Sequence, residues 1–216
     1  MPPATPPPHH LTASPSPVLA RPPVLNLPNS LTAARLGLAV ILFVCIAQQW
    51  WLAGAVTFAI AAVTDWLDGY LARKQGLTSA FGRNFDPLVD KVLVCGAFIF
   101  LLPVPGSGLA PWMVTVVVGR ELVITGLRSF LENQATTFGA DLFGKLKMVL
   151  QCAALLTMLV LQELLRQDRS APGDGPAGVL AFLQVFNPAL LLATVLVTLL
   201  SGAQYLWRAA LLFREL

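Results

Sequence analysis

Three long stretches of this chain carry no Asp, Glu, Lys or Arg. They cover residues 36–64, 92–119 and 175–207, which are 29, 28 and 33 positions. A bilayer's hydrocarbon core is about 30 Å thick and takes roughly 20 apolar residues per crossing helix. Runs of this length predict membrane helices. The overall charge agrees, since 12% of residues are charged where an ordinary soluble domain has about 25%. The chain is read as all-α and polytopic, with six transmembrane helices at about 31–48, 51–74, 85–103, 111–132, 143–165 and 187–207. A soluble enzyme, a secreted module and a disordered chain are excluded as descriptions of the whole.

Residues 1–25 read as a separate, disordered Pro-rich tail, because proline removes backbone donors and blocks helix. His9 and His10 fall in it as solvated residues. Residues 26–216 read as one membrane domain, with Pro28 at the start of the first helix and a polar loop at 166–178. Trp50, Trp51, Trp112 and Trp207 are expected as interfacial anchors. Cys45, Cys95 and Cys152 all lie in apolar runs, at no metal-like spacing. An odd number of such thiols does not make a disulfide framework.

Basic residues set the orientation. In a six-span arrangement Arg21, Arg35, Arg73, Lys74, Arg83, Lys91, Arg128, Lys145, Lys147, Arg208 and Arg214 share one side. Only Arg166 and Arg169 fall on the other, and Arg120 lies within the fourth span. Both termini are therefore expected in the cytoplasm. The net charge of +3 suits anionic headgroups and makes a poor case for nucleic acid.

The stretch from 65 to 91 carries the chemistry. Asp65 and Asp68 are three apart on the second helix; Asp86 and Asp90 are four apart on the third. Residues at these spacings share a helix face. A short link joins the two helices, so they are expected as antiparallel neighbours with four carboxylates at one depth. Such groups repel unless neutralised, and ionisable residues at membrane depth mark function. Oxygen-only ligands suit Mg²⁺ or Mn²⁺, and a pair of such ions clamps a pyrophosphate. Gly69 and Gly82 allow close approach to the backbone, and Arg73 brings a guanidinium to the edge of the site. Two other readings of the aspartates are helix caps or partners for Arg73, Arg83 or Lys91, and an ion path in a small ion-coupled transporter.

For an anionic co-substrate, Arg120 and Arg128 lie about 80° apart around one helix, so both can edge one cavity. Lys145 and Lys147 lie about 200° apart, so one of them should face inward; Lys145 is the expected one. Glu121 is expected to pair with a basic residue.

Residues 65–90 resemble the signature of the CDP-alcohol phosphatidyltransferase family, D-x2-D-G-x2-A-R-x8-G-x3-D-x3-D. Asp65, Asp68, Gly69, Ala72, Arg73, Gly82, Asp86 and Asp90 fill every fixed position. Asn26-Leu27-Pro28-Asn29 with Leu31, Thr32 and Arg35, then 119–129 and 144–151, are similar to segments of the bacterial phosphatidylglycerophosphate synthases within that family. The likeness covers roughly residues 25–151.

The resemblance implies six membrane helices, a homodimer and a bacterial inner membrane, with the active site facing the cytoplasm. It implies transfer of a phosphatidyl group from CDP-diacylglycerol to sn-glycerol 3-phosphate with release of CMP. It implies two divalent ions held by Asp65, Asp68, Asp86 and Asp90, with Asp90 also the general base. Asp68, Gly69, Ala72, Arg73, Gly82 and Thr32 would meet the CDP-lipid. Arg120, Arg128 and Lys145 would hold the acceptor phosphate. Other acceptors within the family would make the chain a cardiolipin synthase or a phosphatidylinositol-phosphate synthase.

Overall fold

A computed structural model describes residues 27–75, 80–132, 142–170 and 176–212. The proline-rich residues 1–25 lie outside the described residues, and with them the reading of a disordered tail. Six α-helices and no strand occur among the described residues: α1 (Leu27–Ala47), α2 (Trp51–Gln75), α3 (Ala80–Leu101), α4 (Pro111–Glu132), α5 (Leu142–Ser170) and α6 (Ala177–Leu212).

Several boundaries correct the sequence reading: α1 starts at Leu27, α3 at Ala80 and α6 ends at Leu212, each four or five residues outside the expected span, and two more bear on the packing. α5 runs on to Ser170 through residues expected as loop. Its last turns are supported by Glu163, which accepts from Arg166 at 2.7 Å and from Gln167 at 2.9 Å. Such i,i+3 and i,i+4 pairs extend a helix into polar sequence. α6 starts ten residues earlier than expected and holds Pro188 in its interior. Proline is tolerated at a helix start and also inside a helix, at the loss of one backbone hydrogen bond.

The helices bury a core of Leu42, Phe58, Phe98, Leu155, Met158, Leu159 and Leu191, all nearly inaccessible. α1 packs on α2 and α3, α5 on α2, α3 and α6, and α4 on α3 and α6. Among the described residues α2 and α3 do not pack on each other; α1 and α5 bridge them. The expected meeting of the two aspartate-bearing helix ends falls on residues 66–90, whose side chains lie outside the described residues.

The outer surface is apolar. Val40 and Val44 on α1, Leu52, Val56, Ile60 and Val63 on α2, and Leu196, Leu199 and Leu200 on α6 are all exposed. Soluble monomers rarely expose apolar patches beyond a few hundred Å². Several polar side chains turn inward, among them Gln151, Thr194, Thr198 and Ser201. By length and composition α5 and α6 can each cross a membrane, and α1, α2 and α3 hold shorter apolar stretches. Trp50, Trp112 and Trp207 are exposed, as anchors should be; Trp51 is instead part of the core at 3% exposure. Trp51 opens α2 on its buried stripe, with Ala55 and Phe58 at i+4 and i+7. Cys45 and Cys95 are buried free thiols.

The α3–α4 link turns through Gly106 and Gly108, with φ of 80° and 75°, values that favour glycine. Two buried amides pin it. Gln162 Nε2 donates to the Pro105 carbonyl at 3.2 Å, and Asn187 Nδ2 to the Ser107 carbonyl at 2.9 Å.

Candidate active site

The cavity that separates α2 from α3 is lined by Arg35 of α1, Phe58 and Asp65 of α2, Leu93 and Val94 of α3 and Cys152 of α5. Its walls are mainly apolar and its polar end is the Arg35–Asp65 pair. Arg35 Nη1 meets Asp65 Oδ1 at 2.9 Å. The guanidinium comes from a buried residue, while the carboxylate stays about one-third exposed. Arg35 follows from α1's inward stripe, since Arg35, Ala39, Leu42 and Ile46 are buried at i, i+4, i+7 and i+11. The first motif aspartate is thus oriented from a neighbouring helix and faces a cavity.

Asp68, Gly69, Ala72 and Arg73 follow on α2, and Gly82, Asp86 and Asp90 lie on α3. Their side chains lie outside the described residues, as does that of Thr32. Among the described residues no group of three or more His, Cys, Asp or Glu is placed to hold a metal ion. The donor set fits hard divalent cations: Asp65 opens onto the cavity, and the other three carboxylates stand on α2 and α3, the helices that also supply Phe58, Leu93 and Val94 to its walls.

A second ionic centre lies beside this one. Glu121 of α4 is 3% exposed. Its Oε2 accepts from Lys91 Nζ of α3 at 2.6 Å. Its Oε1 accepts from Lys147 Nζ of α5, and from Arg120 Nη1 at 3.4 Å. Arg120 Nη2 then donates to Ser201 Oγ of α6 at 2.7 Å. Arg120 reaches Ser201 past Gly202, where an added Cβ would lie 3.2 Å from Arg120 Cγ. α3, α4 and α5 meet at one carboxylate, and α6 joins them through Arg120.

The inward lysine of α5 is therefore Lys147, at 4% exposure, and Lys145 is exposed. This corrects the expected orientation. The signal was present in α5, because its buried stripe of Met158, Leu155, Ala154 and Gln151 extends back by four residues to Lys147. Arg128 is exposed near the end of α4 and Lys145 near the start of α5, on either side of the link at 133–141. Arg120 is mostly buried, at 13% side-chain exposure. Sequence reasoning gave Glu121 a single partner; its three appear only once α3, α4 and α5 are assembled.

The family model for CDP-alcohol phosphatidyltransferases matches residues 25–200. A CDP-diacylglycerol–glycerol-3-phosphate 3-phosphatidyltransferase of Bacillus subtilis (strain 168) is 39% identical over 153 residues, covering 63% of this chain and 78% of that protein. The enzyme of the same name from Rickettsia typhi is 32% identical over 183 residues, covering 83% of this chain and 94% of its own. A cardiolipin synthase (CMP-forming) of Oryza sativa subsp. japonica is 34% identical over 168 residues, 71% of this chain and half of that protein. With the whole motif present and most of its length matched, the chain belongs to the CDP-alcohol phosphatidyltransferase family.

Proposed function

We propose that this enzyme transfers the phosphatidyl group of CDP-diacylglycerol to sn-glycerol 3-phosphate and releases CMP. The observation that carries the reading is the complete eight-position motif, on two helices flanking one cavity. The names and coverage of the bacterial relatives support the acceptor. The apolar outer surface supports six membrane-crossing helices, and the distribution of Lys and Arg supports both termini in the cytoplasm. Residues 26–216 form the membrane domain and 1–25 a tail. The basic-residue bias supports an active site at the cytoplasmic face of a bacterial inner membrane, and the chain acts as a homodimer in this reading.

In this reading Asp65, Asp68, Asp86 and Asp90 hold two divalent ions, Mg²⁺ or Mn²⁺. When bound, such ions neutralise charge on the diphosphate and on the departing CMP. Gly69, Ala72 and Gly82 let the CDP group lie against backbone, and Arg73, Asp68 and Thr32 orient it. The acceptor hydroxyl oxygen bonds to the phosphatidyl phosphorus as the bond from that phosphorus to CMP's oxygen breaks. Asp90 takes the hydroxyl proton. Positioning and electrostatics dominate such transfers. Arg120, Arg128 and Lys145 attract and hold the acceptor's phosphate. The lipid's acyl chains remain in hydrocarbon, which accounts for an active site among membrane helices.

The test is CMP release by the purified protein in detergent with CDP-diacylglycerol and Mg²⁺ or Mn²⁺. Glycerol 3-phosphate, inositol 1-phosphate and phosphatidylglycerol are offered separately. Release with glycerol 3-phosphate alone is expected. Release only with phosphatidylglycerol would replace this reading by cardiolipin synthesis, which the rice relative favours. No release with any acceptor would return the transporter reading.

A further inference from the structure

Three cations converge on Glu121 from three helices, and one carboxylate balances only one of them. Lys91, Arg120 and Lys147 with Glu121 leave a formal charge of +2 inside the bundle. Each lysine has three N–H donors and spends one on Glu121. Arg120 Nε is buried without an acceptor among the described residues. A buried charge surplus with unused donors calls for an anion. Lys91 directly follows Asp90, the expected general base, in the chain. A phosphomonoester carries about −1.5 to −2 at neutral pH, which matches the surplus.

We propose that Glu121 is a positioning residue: it gathers Lys91, Arg120 and Lys147 into one preformed cationic wall whose surplus charge recognises a phosphomonoester on the acceptor. This rests on the reading of a phosphorylated acceptor above and adds Glu121, Lys91 and Lys147 to its recognition. Ammonium groups on flexible stems lose rotamer freedom when they bind. A buried carboxylate that already fixes them removes that cost before the acceptor arrives.

The experiment compares wild type, Glu121→Gln, Glu121→Asp and Lys147→Met as full-length purified protein. For each, kcat and KM are measured for CDP-diacylglycerol and for glycerol 3-phosphate separately, alongside the melting temperature. Glu121→Gln is expected to lower kcat/KM for the acceptor by about 10–100-fold, the scale of one charge-assisted hydrogen bond. KM for CDP-diacylglycerol should stay within about 2-fold, and Glu121→Asp should recover part of the loss. A purely structural role would move both substrates together with the melting temperature, and that result overturns the proposal. Unchanged acceptor kinetics in Glu121→Gln overturns it as well. If Glu121→Gln does not fold, Lys147→Met decides: an acceptor-selective loss supports the wall, and wild-type acceptor kinetics removes it. If wild type uses another phosphorylated alcohol, the same ratios are read with that acceptor. If wild type accepts only an alcohol without a phosphomonoester, the wall has no ligand and the proposal fails while the metal chemistry stands.

Discussion

The two ends of the helix bundle are held together by different chemistry. Near one end, charge does the work: Arg35 on Asp65, and Lys91, Arg120 and Lys147 on Glu121. Near the other, neutral amides do it: Gln162 on Pro105 and Asn187 on Ser107. Along α5 the layers at Lys147 and Gln162 are about 22 Å apart, at 1.5 Å per residue. At the amide end each pinning N–H meets one carbonyl and no charge is left over. At the ionic end three cations share one anion. A buried contact that only has to hold helices together is cheapest when neutral, and the one orphan among the described residues here, Asn187 Oδ1, carries no charge. A surplus is kept where a ligand completes it.

The largest effect that would break this contrast is at Asp90. Asp90→Asn should lower transfer by about 10²–10⁴-fold, the range for losing a general base, while CDP-lipid binding persists. Wild-type turnover would remove Asp90 as the base. Next comes Arg35→Met, which takes away the partner that orients Asp65. The divalent-ion concentration for half-maximal rate should rise by about 10-fold or more; an unmoved titration would detach Arg35 from the site.

The amide end should respond in stability alone. Asn187→Ala strands the Ser107 carbonyl and should cost about 1–3 kcal/mol, read as a lower melting temperature with kcat/KM unchanged. A selective loss of activity there would erase the distinction between the ends. Gly108→Ala forces a side chain into φ of 75° beside Asn187 and should cost about 1–2 kcal/mol. Smallest of all is Arg166→Ala: its partner Glu163 is close, but the arginine is exposed, and no change in melting is expected.

Legibility from sequence followed the range of the interactions involved. α4 starts and ends where expected, and α2 ends one residue later than expected, because interfacial residues and charges bound those runs locally. The eight-position motif is legible for the same reason, being fixed by spacing on two consecutive helices. The start of α6 is not legible locally, because Pro188 is compatible with either a first turn or an interior position and the apolar residues from Val179 to Phe186 suit both. The partners of Glu121 come from residues 91, 120 and 147, and no local pattern brings these together. Lys147 sits between the two cases: the periodicity of α5 singles it out once its buried stripe is followed back from Met158. The Asp65–Arg35 pair spans thirty positions and needed α1 to be placed against α2.

The length of α6 has a mechanical consequence. Its 36 residues measure about 54 Å at 1.5 Å per residue. To lie wholly within about 30 Å of hydrocarbon, such a rod would have to lean about 56° from the normal, beyond the 0–40° range of membrane helices. In a bilayer some of α6 therefore stands among the headgroups. The stretch before Pro188 is the candidate, with Val179, Phe182 and Val185 turned outward and Asn187 moored to the α3–α4 link. A thicker or thinner membrane changes how much of that stretch is wetted, so thickness mismatch is felt first at Pro188, far from the carboxylates.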